Sequence, residues 1–149
     1  MDIVTPEVRS VLMSRIRGKD TKPEIVVRRL AHAMGCRFRL HRRDLPGVPD
    51  IVFPGLRKVV FVHGCFWHQH AGCREAYQPK SRVEFWQAKF RANETRDRHA
   101  MAALVQLRWD ALVVWECETE DVGALTRRLA AFLNNRREGE KNESKRKLA

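Results

Sequence analysis

A fifteen-residue stretch, Val59 to Cys73 (VVFVHGCFWHQHAGC), constrains this chain more than any other. Its first four residues are β-branched or aromatic and carry no charge, the composition of a strand buried inside a sheet. At His63-Gly64 the character changes. The eleven residues from His63 to Cys73 hold two cysteines, three histidines, a phenylalanine and a tryptophan. A strand that runs straight into a loop of imidazoles and thiols is a common way for a scaffold to present a site. A plain hydrophobic strand with an aromatic turn would not need Cys65, His70 and Cys73 at C-x4-H-x2-C spacing.

Those ligands make a metal site the natural expectation. The N-terminus MDIVTPEVRS has neither a basic segment nor an apolar core, so it does not read as a signal peptide. A cytoplasmic location is expected. The four cysteines (Cys36, Cys65, Cys73, Cys117) are then thiols or metal ligands rather than disulfides. Cys65, Cys73 and a histidine need a fourth donor to close a tetrahedron around zinc. Cys117 follows the apolar run Trp109–Trp115 (WDALVVW) as Cys65 follows Val59–Val62. Two such strands running the same way in one sheet would bring both cysteines to the same end. A closed Cys₃His site would be structural rather than catalytic. By spacing alone His63 or His68 could take the place of His70. Cys36 has no evident partner and reads as a core residue.

The remainder reads as one small α/β domain over residues 1–133. Thr5-Pro6-Glu7 starts a basic amphipathic helix carrying Val8, Leu12 and Ile16. Thr21-Lys22-Pro23-Glu24 fits a capping box for a second helix ending at Gly35, which accounts for Glu24 as a capping residue. Cys36–Leu40 alternates as a strand. Val48–Phe53 and Arg57–Val62 flank Pro54-Gly55 and should pair as a hairpin, with Asp50 at the head of the first strand. Ser81-x-x-Glu84 reads as a capping box opening a long helix to Leu107. Its middle, Arg91–His99 (RANETRDRH), fits a solvated face, a break between helices or a surface facing phosphates. Trp109–Trp115 is a buried strand, and Asp121–Leu133 a final amphipathic helix. From Asn134 the chain is polar and basic, the composition of a disordered tail over 134–149. The expected architecture is a central mixed sheet flanked by helices.

Charge narrows the partner. Twenty-nine lysines and arginines against eighteen acids give a formal net charge of +11. That excess favours a polyanion, nucleic acid first and a membrane surface second. No apolar run approaches the roughly 20 residues of a membrane-spanning helix.

The motifs LPGVPDIV (Leu45–Val52), FVHGCFWHQHAGC (Phe61–Cys73), EFW (Glu84–Trp86) and LVVWEC (Leu112–Cys117) closely resemble those of the very-short-patch-repair (Vsr-type) DNA mismatch endonucleases. The resemblance runs in order from about Thr5 to Leu133. It implies a restriction-endonuclease-like fold with a structural zinc site. It also implies Mg²⁺-dependent nicking of duplex DNA 5′ to the thymine of a T·G mismatch, the product of 5-methylcytosine deamination. Asp50 matches the family's Mg²⁺-binding aspartate, and the backbone carbonyl of Val62 the second ligand. His68 would activate the attacking water, Glu24 would orient His68, and His63 would contact the phosphate or the water shell of the metal. His70 becomes the zinc ligand beside Cys65, Cys73 and Cys117. Phe66, Trp67 and Trp86 match the aromatic residues that wedge into the base stack beside the mismatch. The implied partner is mismatched double-stranded DNA, with mismatch-repair proteins as possible further partners, and a monomer is expected. Two rival readings stand beside this one: a zinc-bearing DNA-binding module without nuclease activity, and a restriction-type nuclease that needs no mismatch. Simple binding does not require Asp50, Glu24 and His68, which counts against the first.

Overall fold

The computed structural model describes residues 20–135. The helix expected from Thr5 and the polar tail beyond Asn135 lie outside the described residues. Helix α1 (Lys22–Ala33) leads into the two-residue strand β1 (Arg39–Leu40), then β2 (Ile51–Phe53) and β3 (Lys58–His63). Helix α2 (Val83–Gln106) crosses over to β4 (Asp110–Trp115), and α3 (Val122–Asn134) closes the described chain. The sheet order is β1-β2-β3-β4. The first three strands pair antiparallel, and β4 pairs parallel to β3. The sheet is therefore mixed, as expected.

Sequence explains the layering. Ile51, Phe53, Val60 and Val114 face α1 and α3, where they meet Val27, Ala31, Leu125, Leu129 and Leu133. The intervening Val52, Val59 and Phe61 face the other way, against Leu104 of α2 and against Leu45 and Trp109. Strands covered on both faces need apolar residues at every position, which is why β2 and β3 read as uninterrupted runs. Lys58 is the exception. It is 2 % exposed, its Nζ donates to the carbonyls of Phe132 and Asn135, and it thereby ties β3 to the end of α3.

The Thr21 cap forms as the sequence implies. Thr21 Oγ1 accepts from the Glu24 N–H, and Glu24 Oε2 accepts from the Thr21 N–H at 2.7 Å. Other expectations are corrected. The Ser81-x-x-Glu84 box does not form: α2 starts after Arg82, whose backbone is left-handed at φ 53° and whose side chain makes no cap hydrogen bond. The polar middle of α2 is a continuation of one unbroken helix, not a break. The first strand shrinks from Cys36–Leu40 to Arg39–Leu40, because the amide of Cys36 still bonds back to the carbonyl of Ala31. Strand β4 is only partly buried because it lies at the sheet edge.

Candidate active site and metal centre

The parallel register sets Val62 beside Val114 and His63 beside Trp115, so β3 and β4 end together. Cys65 and Cys117 leave those ends. The Cys117 N–H donates to Cys65 Sγ at 3.4 Å. His70 Nδ1 lies 3.7 Å from Cys65 Sγ and 3.5 Å from Cys117 Sγ, and Cys73 completes a group whose ligand atoms all fall within 4.8 Å of one another. Two ligands bonded to a tetrahedral zinc at about 2.3 Å (sulfur) and 2.05 Å (nitrogen) stand about 3.6 Å apart. The spacing here is that of a tetrahedral edge. His70 is the histidine brought to the cysteines; its ring stacks on Trp115 with centroids 4.1 Å apart. His63 and His68 lie in a different cluster. Burial pushes the Cys65 thiol up to about 12, with Cys117 and Cys73 as neighbours adding to the shift. Burial likewise raises Cys117. Clustered thiols that resist ionisation are what a cation would relieve, since a coordinated thiol gives up its proton.

On the other side of the β3 terminus a cleft of about 820 Å³ is bordered by Glu24, Asp50, His63, Trp67, His68 and Asp97 among others. Asp50 precedes β2, and the Val62 N–H donates to its Oδ2 at 2.7 Å. The loop before it is pinned by Gly47, at φ +75°, where a Cβ would come 2.6 Å from Ala100 Cβ of α2. A side chain there would push the loop off the helix. Asp50 is raised to about 8, first by burial and then by Glu24, while the Val62 N–H and the Arg28 charge pull it down. Two carboxylates thus share a largely dry corner.

His63 and His68 stack face to face, with centroids 3.8 Å apart and planes 5° apart. His68 Nδ1 meets Asp97 Oδ2 at 2.7 Å. Asp97, not Glu24, is the carboxylate hydrogen-bonded to His68; Glu24 sits with Asp50 and His41. His63 is held down to about 4 by burial and by the neighbouring His68, against the pull of Asp97. Burial lifts Asp97, but the hydrogen bond and charge of His68, with His63 and Arg96, outweigh it and leave the carboxylate below its usual range.

Asp97 and His41 are absent from the set that the sequence offered. A signal for Asp97 did exist. Phe90, Asn93, Asp97, Ala100 and Leu104 fall on one stripe of α2, so Asn93 and Asp97 are polar residues on the inward face. Asn93 donates to the Trp67 carbonyl at 3.0 Å. His41 offers no comparable pattern, because it follows a strand only two residues long.

The aromatic residues gather at the cleft mouth. Phe66 contacts the rings of Trp67, Tyr77, Trp86 and Phe90. Trp67 and Trp86 lie 5.9 Å apart, and Lys89 Nζ sits 5.4 Å over the Trp67 ring. Phe66 props the group from its centre, and the two indoles are half-buried.

The model of the family described as DNA mismatch endonuclease Vsr matches residues 1–74. The chain is 54% identical over 133 residues to Type II nicking enzyme V.XorIIP of Xanthomonas oryzae, covering 89% of this chain and 97% of that one. This chain belongs to the Vsr family. Two further relatives match over most of the chain. Type II nicking enzyme V.NmeAIP of Neisseria meningitidis is 39% identical over 86% of this chain and 91% of its own. The DNA mismatch endonuclease Vsr of Escherichia coli is 39% identical over 89% of this chain and 87% of its own. Within a Vsr protein, the two clusters at the end of β3 divide naturally into a sulfur-rich centre on one side and an acid–imidazole cleft on the other. Among the described residues no helix is long and apolar enough to cross a membrane.

Proposed function

We propose that this protein is a DNA mismatch endonuclease that nicks one strand of duplex DNA 5′ to the thymine of a T·G mismatch, initiating very short patch repair. The scaffold is restriction-endonuclease-like, with Mg²⁺ held at Asp50 and the Val62 carbonyl and structural Zn²⁺ at Cys65, His70, Cys73 and Cys117. One observation carries the reading: a carboxylate pair, a carboxylate-bonded histidine and an aromatic cluster border the same cleft.

The donor set fits the metal. A residue's N–H and C=O point to the same edge of a strand, so the Val62 carbonyl shares the edge whose N–H holds Asp50. Carboxylate and carbonyl oxygens suit a hard divalent cation. Bound Mg²⁺ would supply charge neutralisation at the scissile phosphate.

The residues divide the remaining work. Asp97 accepts from His68 Nδ1 and so leaves Nε2 free to take a proton from the attacking water. His63, stacked on His68 and kept neutral by burial, offers its ring to the phosphate or to bound water. Glu24 keeps its cap on α1 and adds negative charge beside Asp50. Trp67 and Trp86, braced by Phe66, would enter the base stack at the mismatch. Unstacking costs a few kcal/mol and least where pairing is already faulty, so the wedge itself favours damaged steps.

Single-turnover nicking of matched and T·G duplexes with Mg²⁺ tests the whole reading. Nicking confined to the mismatch is the expected result. Binding without cleavage would mark a DNA-binding module, and equal cleavage of both duplexes a restriction-type nuclease.

A further inference from the structure

His41 is the group at the active site that the mechanism above leaves unused. The fold fixes it with care: its N–H bonds to the Asp50 carbonyl at 3.2 Å, extending the β1–β2 ladder by one step. Its backbone is left-handed at φ 49°, a conformation that costs a non-glycine residue energy and gathers at functional sites. The side chain is only 14% exposed. Nδ1 faces Asp50 Oδ1 at 3.9 Å, and Nε2 faces Glu24 Oε1 at 3.8 Å and Asp20 Oδ1 at 3.9 Å. None of these is a hydrogen bond. The Nδ1–Asp50 gap lies within the roughly 4.2 Å that two metal–ligand bonds of about 2.1 Å can bridge, and one ligand atom each of Glu24, His41 and Asp50 fall within 4.8 Å of one another.

We propose that His41 Nδ1 joins the Asp50 and Glu24 carboxylates as a ligand of the active-site divalent cation, giving a mixed nitrogen–oxygen site that selects Mn²⁺ and the later transition ions over Mg²⁺. The inference rests on the reading of Asp50 as a metal ligand and adds a third donor and a metal preference to it. An imidazole donor favours transition ions, in the order of their intrinsic affinities, over Mg²⁺. Ligation through Nδ1 puts the ring proton on Nε2, toward the Asp20 carboxylate, the usual outer arrangement of a metal-bound histidine. Arg28 Nη2 now lies 3.2 Å from Nε2 and 2.6 Å from Asp20 Oδ1. It keeps Asp20 when it gives up the ring. Its buried Nε has no hydrogen-bond partner among the described residues, so the guanidinium is not locked where it stands.

The test uses the full-length, zinc-loaded protein, so that the sulfur site is filled, with Mn²⁺ as the probe. Pulsed electron paramagnetic resonance reads directly whether a nitrogen is bonded to the manganese. His41→Asn is the chosen variant because asparagine tolerates the left-handed backbone; His68→Gln serves as the control. Expected are a ¹⁴N coupling in the wild type and in His68→Gln, its loss in His41→Asn, and Mn²⁺ affinity at least about tenfold weaker in His41→Asn with Mg²⁺ affinity changed much less. Mn²⁺ binding that depends on Asp50 but shows no nitrogen coupling would overturn the inference and leave the Asp50 site standing. A coupling that survives in His41→Asn would also overturn it, assigning the nitrogen to His63 or His68. Mn²⁺ binding indifferent to Asp50→Asn would remove the underlying reading as well. Should His41→Asn not fold, His41→Gln gives the same readout.

Discussion

His68 Nδ1 and Asp97 Oδ2 are 2.7 Å apart, joining the ligand-rich loop after β3 to the middle of α2. The contact fixes which ring nitrogen of His68 meets the cleft. Asp97→Asn keeps the volume but offers an amide where a charged acceptor stood. Single-turnover nicking should fall by roughly 10²–10⁴-fold, the usual contribution of a positioned general base. Binding of the T·G duplex should change little. Glu24→Gln should leave His68 oriented; an Asp97→Asn protein that nicks at the wild-type rate would remove Asp97 from that role.

The pH dependence of stability should report Asp50. Its carboxyl rises from an ordinary 3.8 to about 8 in the folded protein. Between those values the folded state holds a proton that the unfolded chain lacks, so stability falls as pH rises. His63 works in the opposite sense: it drops from 6.5 to about 4, so stability is lost as pH falls through that window. The two oppose each other below pH 6.5, and above it the Asp50 decline stands alone up to about pH 8. Melting of the zinc-loaded, magnesium-free protein should therefore show decreasing stability across pH 6.5–8. Asp50→Asn should flatten it, and a wild-type profile already flat would refute the assignment. Mg²⁺ affinity should climb over the same interval as the proton ceases to compete.

The sulfur centre predicts one zinc per chain in protein purified without added metal. Cys117→Ala should lose it and be destabilised by more than about 3 kcal/mol, because metal binding and folding are one equilibrium. Elemental analysis with urea melts measures both. Unchanged zinc in Cys117→Ala would eliminate this ligand set. His63→Gln should retain full zinc, since His63 belongs to the other cluster.

Trp67→Ala should separate recognition from chemistry. Stacking of a base on an aromatic ring is worth roughly 1–3 kcal/mol, so preference for mismatched over matched duplex should fall by about tenfold to a hundredfold. Zinc content and the nicking chemistry of bound DNA should persist. Undiminished preference would transfer the wedge to Trp86, whose ring lies 5.9 Å away.

What could be read in advance followed from how locally each feature is determined. The Thr21–Glu24 cap is written within four residues, and it forms. The convergence of Cys65 and Cys117 was legible because two apolar strands each ended in a thiol; the parallel register brings them together, and the loop after β3 turns His70, not His63 or His68, toward them. The partner of His68 was hidden because helix α2 is polar enough to be read as solvated, and only docking against the sheet decides which of its faces turns inward. The Ser81–Glu84 motif shows the converse failure: the residues were right, but the left-handed backbone of Arg82 begins the helix in another way. His41 could not be found by period or spacing, since its place comes from one hydrogen bond at the end of a very short ladder.

The parallel pairing of β3 and β4 also bears on how the chain reaches its folded state. Cys65 and Cys117 are 52 positions apart, and the 24-residue helix α2 lies between them. Parallel strands cannot be joined by a tight turn, so this crossover must be completed before the two thiols meet. Their ion should thus arrive late, as a latch on a topology already assembled, and a refolding chain denied zinc should collapse at the ordinary rate yet stall before the last ordering step. Once seated, the same ion closes a long loop and raises the barrier to leaving, so chelation should accelerate unfolding more than it slows the early stages of folding.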